Sequence, residues 1–363
     1  MAFFSTPSSL PTAAAPSQQR SPRGSKQIEG RMTTRQFYRE LESIGAHAFA
    51  VQHKLLPDLN MEYYCPDCRK PLKKQTNNYM RCGGKHTGFS YLKGSIFEGA
   101  NLPMDTILEL IHFFAAERSY DDCIKHIFNS EKNEELSRKT ISEWYFRFRE
   151  VINKEVSEWY TESGAIGGEG CTVQIDESKF GKRKYNRGYM IDGHWVFGVI
   201  DEQTKELRLN MVPDNERSRA NMQGLIESMI KPGTRIVSDS FSSYKYLDNE
   251  ETPYTHDSVN HSIEYVAYDE EGRKIHTNTI ESAWRPIKDF FRTRKVKHEY
   301  FFFHLKEYEW RRRMKKENKD HFLELLVAIA KHYKPKLLHP NYSLNSGPID
   351  LDEYLGPVDA MSQ

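Results

Sequence analysis

The chain has 363 residues, with 52 Lys and Arg against 51 Asp and Glu and a formal net charge of +1. This balance excludes a uniformly cationic nucleic-acid coat, so a DNA-binding surface would have to be a local basic patch. Hydrophobic residues make up 38% of the chain, which is enough for a core and excludes global disorder. At about 150 residues per domain, the length indicates two to three folded units.

The composition also indicates the compartment. The sequence has no run of 18 consecutive apolar residues, and its first residues lack a charged stretch followed by an apolar one. It therefore predicts neither a membrane span nor a secretion signal. Two of the five cysteines form a C-x-x-C pair, which indicates metal binding in a reducing compartment and not a disulfide framework. We expect a soluble intracellular protein.

The first residues, 1–31, are rich in Ser, Pro, Ala and Gln without periodicity, which predicts a disordered tail. The run Ile28-Glu-Gly-Arg31 directly before Met32 is a protease recognition sequence used to remove fusion tags, so this tail is either native or tag-derived. An N-terminal helical segment follows over 32–59. Its predicted helix runs from Thr33 to about Leu41.

Residues 60–100 predict a small zinc ribbon. Cys65-Pro-Asp-Cys68 is followed, thirteen residues later, by Cys82-Gly-Gly-Lys-His86. Three thiolates and one imidazole in short-spaced pairs are typical of one structural Zn²⁺, because each turn presents two ligands inward. Buried free thiols, or a three-ligand site without His86, remain as alternatives. A closed site of this kind has no open coordination position, so it would serve folding and DNA contact instead of catalysis.

Residues 101–160 predict a helix-turn-helix-like DNA-binding domain. Apolar residues repeat at helical spacing from Ile107 to Ala115 and again from Cys123 to Ile127. A third helix, basic and aromatic, is predicted over Ser137–Arg149, and three short helices of this kind are typical of the motif. The candidates for contact with specific DNA ends are Arg138, Lys139, Arg147 and Arg149.

After a glycine-rich linker at 164–170, apolar residues recur with a period of two, which is typical of β-strands. Three strands, a helix, two strands and a helix are the order of an RNase H-like α/β domain with a mixed sheet, which we assign to 170–298. A C-terminal basic helical segment over 299–335 and an extended tail over 336–363 complete the chain. The predicted strands are Thr172–Asp176, Trp195–Ile200, Leu207–Val212, Arg235–Asp239 and Ile263–Ala267, and the helices are Asn221–Ile230 and Thr279–Arg292.

Three carboxylates occupy positions that matter in such a fold. Asp176 ends the first predicted strand, Asp239 ends the fourth, and Glu281 lies in the first turn of the last helix. Each alone has an ordinary explanation, because strand ends meet solvent. In an RNase H-like sheet, however, the first and fourth strands are adjacent and the late helix crosses their ends. Three converging carboxylates would hold two divalent cations, Mg²⁺ or Mn²⁺, for in-line phosphoryl transfer.

Three further residues lie near this triad in the sequence. Lys288 follows Glu281 by two helical turns, so it projects from the same face and would meet DNA phosphate. Glu177 alternates to the opposite face of the strand from Asp176, which argues against it as a ligand. Asn278 lies just before the predicted helix, and either caps it or replaces Glu281 as the third ligand.

Several motifs together resemble a known family. They are Asp176–Gly188, Trp195–Gly198, Val237–Asp239 and His276–Trp284 with Lys288, and they resemble the DDE transposase domain of the Merlin superfamily. Upstream, Phe89–Glu98 is similar to the zinc-ribbon region of bacterial insertion-sequence relatives of Merlin.

The resemblance covers roughly residues 60 to 330. It implies a cut-and-paste DNA transposase that binds terminal inverted repeats, cuts with water and joins the freed 3′-hydroxyls to target DNA. Asp176, Asp239 and Glu281 would be its metal-binding triad, with Lys288 as the trailing basic residue. Related bacterial enzymes vary at the third position, with Asn or His where others use Glu, and a cysteine is commoner where His86 stands.

Two basic stretches predict DNA contacts beside this site. The first follows Asp176 in a predicted hairpin, and the second, 285–316, has 12 Lys and Arg against 4 Asp and Glu. Next to a phosphoryl-transfer site, such an excess favours a phosphate-tracking groove over a merely solvated face. The candidate residues are Lys182, Arg183, Lys184, Arg187, Arg285, Arg292, Arg294 and Lys295.

Two alternatives to the transposase remain. One is a domesticated, sequence-specific DNA-binding protein without cleavage activity, and the other a stand-alone RNase H-like nuclease or resolvase. Synapsis of two transposon ends requires at least two protomers, so the expected partners are DNA and a second copy of the chain, with no membrane. The expected location is the nucleus in a eukaryotic host and otherwise the cytoplasm or nucleoid.

Overall fold

The computed structural model describes residues 30–75, 78–84, 88–129, 131–132, 134–181, 193–259, 267–268, 272–294, 296–339 and 342. Within these ranges every helix is too short or too polar to cross a lipid bilayer. The helices are α1 (Thr34–Gln52), α2 (Met104–Ala115), α3 (Tyr120–His126), α4 (Arg138–Ser163), α5 (Arg219–Met229), α6 (Asn278–Arg292), α7 (Phe301–Lys316) and α8 (His321–His332). The strands are β1 (Leu72–Lys74), β2 (Tyr79–Cys82), β3 (Phe89–Ser90), β4 (Phe128–Asn129), β5 (Glu134–Glu135), β6 (Thr172–Phe180), β7 (His194–Asp201), β8 (Leu207–Met211), β9 (Arg235–Asp239), β10 (Thr255–Val259), β11 (Ala267–Tyr268) and β12 (Lys274–Ile275).

Helix α1 begins with a capping box, in which the side chain of Thr33 accepts from the amide of Gln36 and the side chain of Gln36 accepts from the amide of Thr33. Helical structure continues beyond the predicted end at Leu41, across a kink at the non-helical Gly45, and Phe49 and Ala50 are buried in its second part. The predicted tail falls almost wholly outside the described residues, as do the basic cluster at 182–187, Lys295 and His86.

The cysteine-rich segment forms a small antiparallel sheet in the order β1-β2-β3. Leu72 pairs with Cys82 in its register, which brings the second cysteine motif alongside the strand that follows the first. The β-structure predicted for this segment is therefore present, and the sheet carries one of the candidate zinc ligands.

Helix α4 differs from its prediction. It extends from Arg138 to Ser163, whereas the sequence predicted an end at Arg149, because Val151, Ile152 and Val156 continue its buried stripe. The segment between α3 and α4 contains the two-stranded ribbon β4-β5 in place of a tight turn.

One hydrophobic core joins the beginning and the end of the described chain. It includes Phe37 of α1, Phe114 of α2, Phe148 of α4, Trp310 of α7 and Leu325 of α8. The C-terminal helices α7 and α8, which the sequence predicted only as a basic helical segment, therefore pack largely against α4 and α2. The sheet β6–β10 and its own cores lie between α4 and α7 in sequence.

Buried ion pairs lie inside this helical part. Arg149 Nε donates to Glu307 Oε2 at 2.7 Å and Arg311 Nε donates to Glu307 Oε1 at 2.8 Å. Because the side chain of Arg149 is only 7% exposed, its predicted role in DNA contact is wrong. Lys306 is likewise buried and donates to Glu309 at 2.9 Å. Part of the charge excess counted over 285–316 is thus internal.

The second half of the chain forms a five-stranded mixed sheet in the order β10-β9-β6-β7-β8. Strand β6 is antiparallel to β7 and parallel to β9, so the first and fourth strands of the sheet are adjacent as expected. The fifth strand of this sheet is Thr255–Val259, parallel to β9, which the sequence did not predict, and Ile263–Val266 of the predicted strand Ile263–Ala267 lie outside the described residues. Of that predicted range only Ala267 is described, and it belongs to β11.

Helix α6 packs on β6 and β7 through a strongly one-sided apolar face. The alternation of buried and exposed positions along α6 keeps its charged residues away from the sheet. Its buried residues are Ile280, Ala283, Trp284, Ile287 and Phe290.

Candidate active site

Asp176 and Asp239 lie where two adjacent strands separate. The parallel pairing of β6 with β9 runs from Thr172↔Arg235 to Gln174↔Val237 and stops there. Two residues further along each strand come Asp176 and Asp239, which the same register would place side by side on one face. The sequence predicted that Asp176 ends its strand, but β6 continues beyond it, paired with β7, as far as Phe180.

Asp176 is fixed by two hydrogen bonds. Trp284 Nε1 donates to its Oδ2 at 2.7 Å, and the amide of Glu177 donates to its Oδ1 at 2.8 Å. Burial, with a smaller contribution from the charges of Asp239 and Glu281, raises the pKa of Asp176 to about 6 against the lowering effect of both hydrogen bonds. The three predicted carboxylates are thus close enough to act on one another.

Glu281 reaches this position through the N-terminus of α6. Thr277 Oγ1 donates to Glu281 Oε1, and the Glu281 side chain is exposed on the open side of the cluster. Thr277 occupies the N-cap position and Asn278 is the first helical residue, so the prediction of Asn278 as the cap is wrong. Lys288 is exposed on the same helix, two turns later.

Gln174 links α6 to the strand that carries Asp176, and sequence reasoning missed it. Its Oε1 accepts from the amides of Thr279 at 2.9 Å and Ile280 at 3.0 Å, as a helix-capping side chain would. The residue is fully buried. The available signal was a polar residue at a buried position of the strand, two residues before Asp176.

Gly198 makes room for the tryptophan that holds Asp176. It pairs with Asp176 across β6 and β7, and a Cβ at this position would lie 2.9 Å from the ring of Trp284. Glycine therefore allows the indole to lie flat on β7 with its N–H directed at the carboxylate. The sequence contained this signal in the Trp195–Gly198 motif, but its purpose depends on the register.

Glu177 is engaged on the other side of the strand. Its side chain is 2% exposed, accepts a hydrogen bond from the hydroxyl of Tyr244, and lies 3.8 Å from Arg217 Nη1. Burial raises the pKa of Glu177 to about 7. Arg217 in turn stacks 3.6 Å from the Trp195 ring centroid, and this partly exposed cation beside the cluster was also missed from the sequence.

A Ser-His-Asp series lies behind Asp239. Ser238 Oγ is 2.9 Å from His256 Nε2, and His256 Nδ1 is 2.6 Å from Asp248 Oδ1. Ser238 is fully buried, so its hydroxyl is out of reach of a substrate. It donates to the carbonyl of Asp239 at 2.7 Å, and the series thus fixes the end of β9.

The carboxylate cluster fits divalent cations by its chemistry. Hard oxygen ligands from two strands and a helix, open to solvent on one side, suit Mg²⁺ or Mn²⁺. Among the described residues the triad is not one of the groups whose ligand atoms all lie within 4.8 Å of one another. Not all three carboxylates therefore lie close enough together to form a single-ion cage.

Cys65, Cys68 and Cys82 do form such a group, with ligand atoms all within 4.8 Å. The turn that holds Cys65 is closed by a bond from its amide to the carbonyl of Lys70 at 2.9 Å. The amide of Gly84 donates to Cys82 Sγ at 3.2 Å and holds this sulfur in position. Three convergent thiolates are a suitable ligand set for zinc. The fourth predicted ligand, His86, lies outside the described residues.

The other predicted DNA-binding residues on α4 are exposed. Arg138 pairs with Asp121 and Lys139 lies 3.9 Å from Glu143, while Arg147 packs on the ring of Trp144. Exposed pairs of this kind contribute little to stability, so these cations are available to exchange partners.

The predicted residues near α6 differ in availability. Arg285 is exposed, and Arg292 pairs with Asp289 at 3.2 Å while its side chain stays 77% exposed. Arg294 is only 20% exposed, pairs with Glu117 and packs on the ring of Phe290. It joins the sheet part to the helical part of the molecule. The remaining candidates, Lys182, Arg183, Lys184, Arg187 and Lys295, lie outside the described residues.

A mixed five-stranded sheet with carboxylates from two adjacent strands and a crossing helix is the arrangement of an RNase H-like DDE transposase domain. Residues 163–313 match the ISXO2-like transposase domain. That range includes the whole sheet, α6 and most of α7. The Merlin assignment and the zinc ribbon are not named by the match.

Other comparisons add little. A chain of the cryo-EM structure of the simian T-cell lymphotropic virus intasome in complex with PP2A regulatory subunit B56 gamma is similar with a TM-score of 0.25 and 11% sequence identity. The similarity covers 40% of the present chain and 49% of that chain, about half its length, and carries no argument at this score. No curated protein matches the sequence.

Proposed function

We propose that the chain is a cut-and-paste DNA transposase of the Merlin superfamily. It would bind terminal inverted repeats, hydrolyse the phosphodiester bond at each transposon end and transfer the 3′-hydroxyl to target DNA. The observation that carries the proposal is the convergence of Asp176, Asp239 and Glu281 within the segment that matches a transposase domain.

The triad would hold two Mg²⁺ or Mn²⁺ ions, which activate the attacking oxygen and stabilise the leaving one. The chain's own residues prepare this site. Trp284 orients the carboxylate of Asp176, and Gln174 keeps the first turn of α6, with Glu281, against β6. Lys288 faces the same open side and would neutralise a phosphate of the cleaved strand.

DNA would be contacted by exposed cations on both sides of this site. On α4 these are Arg138, Lys139 and Arg147, and near the carboxylates they are Arg217, Arg285 and Arg292, followed by the basic segment 182–187. Phosphate contacts of this kind position a duplex without reading its sequence. End recognition would fall to the helices α2–α4 and to the ribbon, folded around one Zn²⁺ held by Cys65, Cys68, Cys82 and His86.

Assembly and location follow from the reaction. Two transposon ends must be held together for paired cutting and joining, so the active form would be a homodimer or larger assembly on DNA. The reaction would take place in the nucleus of a eukaryotic host and otherwise in the cytoplasm or nucleoid.

The test is cleavage of labelled transposon-end DNA with Mg²⁺ or Mn²⁺. Asp176→Asn, Asp239→Asn and Glu281→Gln should each abolish nicking while end binding persists. Asp289→Asn is the matched control, because it removes an exposed carboxylate from the same helix and should leave cleavage unchanged.

The remaining outcomes separate the alternatives. End binding without cutting under either metal, in the wild type, would favour the domesticated DNA-binding protein. Loss of cleavage in Asn278→Ala but not in Glu281→Gln would retain the enzyme and replace the third ligand.

A further inference from the structure

A large groove lies away from the carboxylates, and we name it the α8 groove. It has a volume of about 1110 Å³ and runs between the end of α1, Pro66 of the cysteine-rich turn, the Lys93–Gly94 loop and α8 with the residues that follow it. None of the triad residues lines it. Its volume exceeds the roughly 300–1,000 Å³ of small-molecule pockets, so it suits a peptide segment better.

The wall of the α8 groove is apolar. Leu326, Val327 and Ala330 of α8 line it together with Leu338 and Tyr342. Val327 is 62% exposed and Leu338 is 46% exposed, although both are large aliphatic side chains. Contiguous exposed apolar surface rimmed by polar groups marks an interaction site.

The rim of the groove is cationic. Among the described residues, Lys54, Lys93, Lys334 and Lys336 form no ion pair with a carboxylate, whereas Lys331 is held by two glutamates of α4. The single acidic residue of the lining is a glutamate that accepts from the amide of Gly94 at 2.9 Å. A ligand that matches this surface has apolar side chains for the wall and carboxylates for the rim. Nucleic acid would satisfy the rim but leave the apolar wall uncovered.

The chain itself contains such a ligand. Residues 348–359, which lie outside the described residues, read Pro-Ile-Asp-Leu-Asp-Glu-Tyr-Leu-Gly-Pro-Val-Asp, with four carboxylates, no Lys or Arg, and five large apolar or aromatic side chains. The segment begins six residues after Tyr342, which lines the groove and whose carbonyl accepts from the amide of Tyr64 at 3.1 Å. Ile349 is seven residues beyond Tyr342, within roughly 25 Å of extended chain.

We propose that residues 348–359 occupy the α8 groove of the same chain. The apolar side chains of the segment cover Val327 and Leu338, and its carboxylates pair with Lys93 and Lys334. Attachment at the groove favours the same chain over a second copy, because a short connection gives an effective concentration of about millimolar. The inference does not depend on the proposed transposase activity.

The test uses the full chain with a photoreactive benzoylphenylalanine at Val327. Irradiation should cross-link this position to residues 348–359, and a mixture of isotope-labelled and unlabelled protein should give cross-links within one copy only. The same probe at Phe128, a similarly exposed aromatic position on β4, is the control and should not reach the segment.

Charge exchange tests the pairing. Lys93→Glu with Lys334→Glu should lower the cross-link yield about tenfold, and Lys154→Glu on the exposed side of α4 should not. Combining the two groove substitutions with Asp350→Lys and Asp352→Lys should restore the yield, which also shows that the groove variants fold. The proposal would be overturned by cross-links between copies or by cross-links to other parts of the chain. A cross-link yield that neither charge reversal changes would also overturn it.

Discussion

Replacing Gln174 with Met should destabilise the sheet part and weaken cleavage together. Gln174 Oε1 is the acceptor for the amides of Thr279 and Ile280 at the start of α6. Methionine has nearly the same length and fills the same space, but its thioether is a weak acceptor. The substitution therefore removes both bonds to the α6 amides, together with the contacts of Gln174 Nε2 with Glu202 Oε1 and His276 Nδ1, while largely preserving the packing.

The magnitude follows from the surroundings of the two amides. The amide of Ile280 is buried and would stay unsatisfied, which costs about 1–3 kcal/mol. The amide of Thr279 is partly buried, so water replaces part of its bond, and its loss adds about 0.5–1.5 kcal/mol. From the two amides alone we expect the free energy of unfolding to fall by about 1.5–4.5 kcal/mol.

The assay is denaturant unfolding, in which the midpoint should fall at an unchanged slope. Gln223→Met on the surface of α5 is the control and should leave the midpoint unchanged. Amide exchange in the first turn of α6 should accelerate, and end cleavage should fall under conditions where the variant stays folded. A loss below about 0.5 kcal/mol, with unchanged exchange in α6, would refute the capping role.

Three further predictions concern other parts of the molecule. Burial alone would raise the pKa of Glu307, but two arginines hold it well below its ordinary value. The stability it contributes is therefore complete above the unfolded pKa of about 4.3 and is lost as pH falls below it. Glu307→Gln should lower the free energy of unfolding at pH 7 by about 3–5 kcal/mol and flatten its decline in acid, measured by denaturant titration from pH 3 to 7. Trp284→Phe removes a bond to ionised Asp176 and should raise its pKa above about 6 in metal-free protein, read by carboxyl-carbon NMR; an unchanged pKa would contradict this contact. Cys82→Ser should abolish zinc retention, measured by metal analysis after dialysis, whereas Cys171→Ser should retain the full amount.

The sequence predicted those strands whose side chains follow one simple pattern. The strands β6, β7, β8 and β9 alternate or run apolar, and their places were recognised to within a few residues. Strand β10 was missed because His256, Asp257 and Ser258 at its centre are polar. The edge strand is held instead by the pairing of Asp257 with Arg235 on β9, at 2.6 Å, which no linear pattern reveals.

The candidate site was predicted in part for a similar reason. Carboxylates at the ends of predicted strands can be recognised one by one, and the expected fold suggests that they meet. Gln174 and Gly198, in contrast, acquire their roles only from the exact neighbours that strand register and helix packing provide. The excess of Lys and Arg over 285–316 overstates the basic surface of this segment, because Arg311 is neutralised internally by a buried glutamate.

The common core of α1, α2, α4, α7 and α8 has a consequence for synthesis of the chain. Phe49 packs in the same cluster as Leu325, so the apolar faces of the first helices are covered only after almost the whole chain has been synthesised. At about 5–20 residues per second, that interval is roughly 15–55 s. The sheet, inserted between α4 and α7, can assemble during this time on its own local contacts. A nascent chain interrupted before α8 would therefore present a formed sheet beside uncovered helices, which are ready substrates for chaperones and proteases.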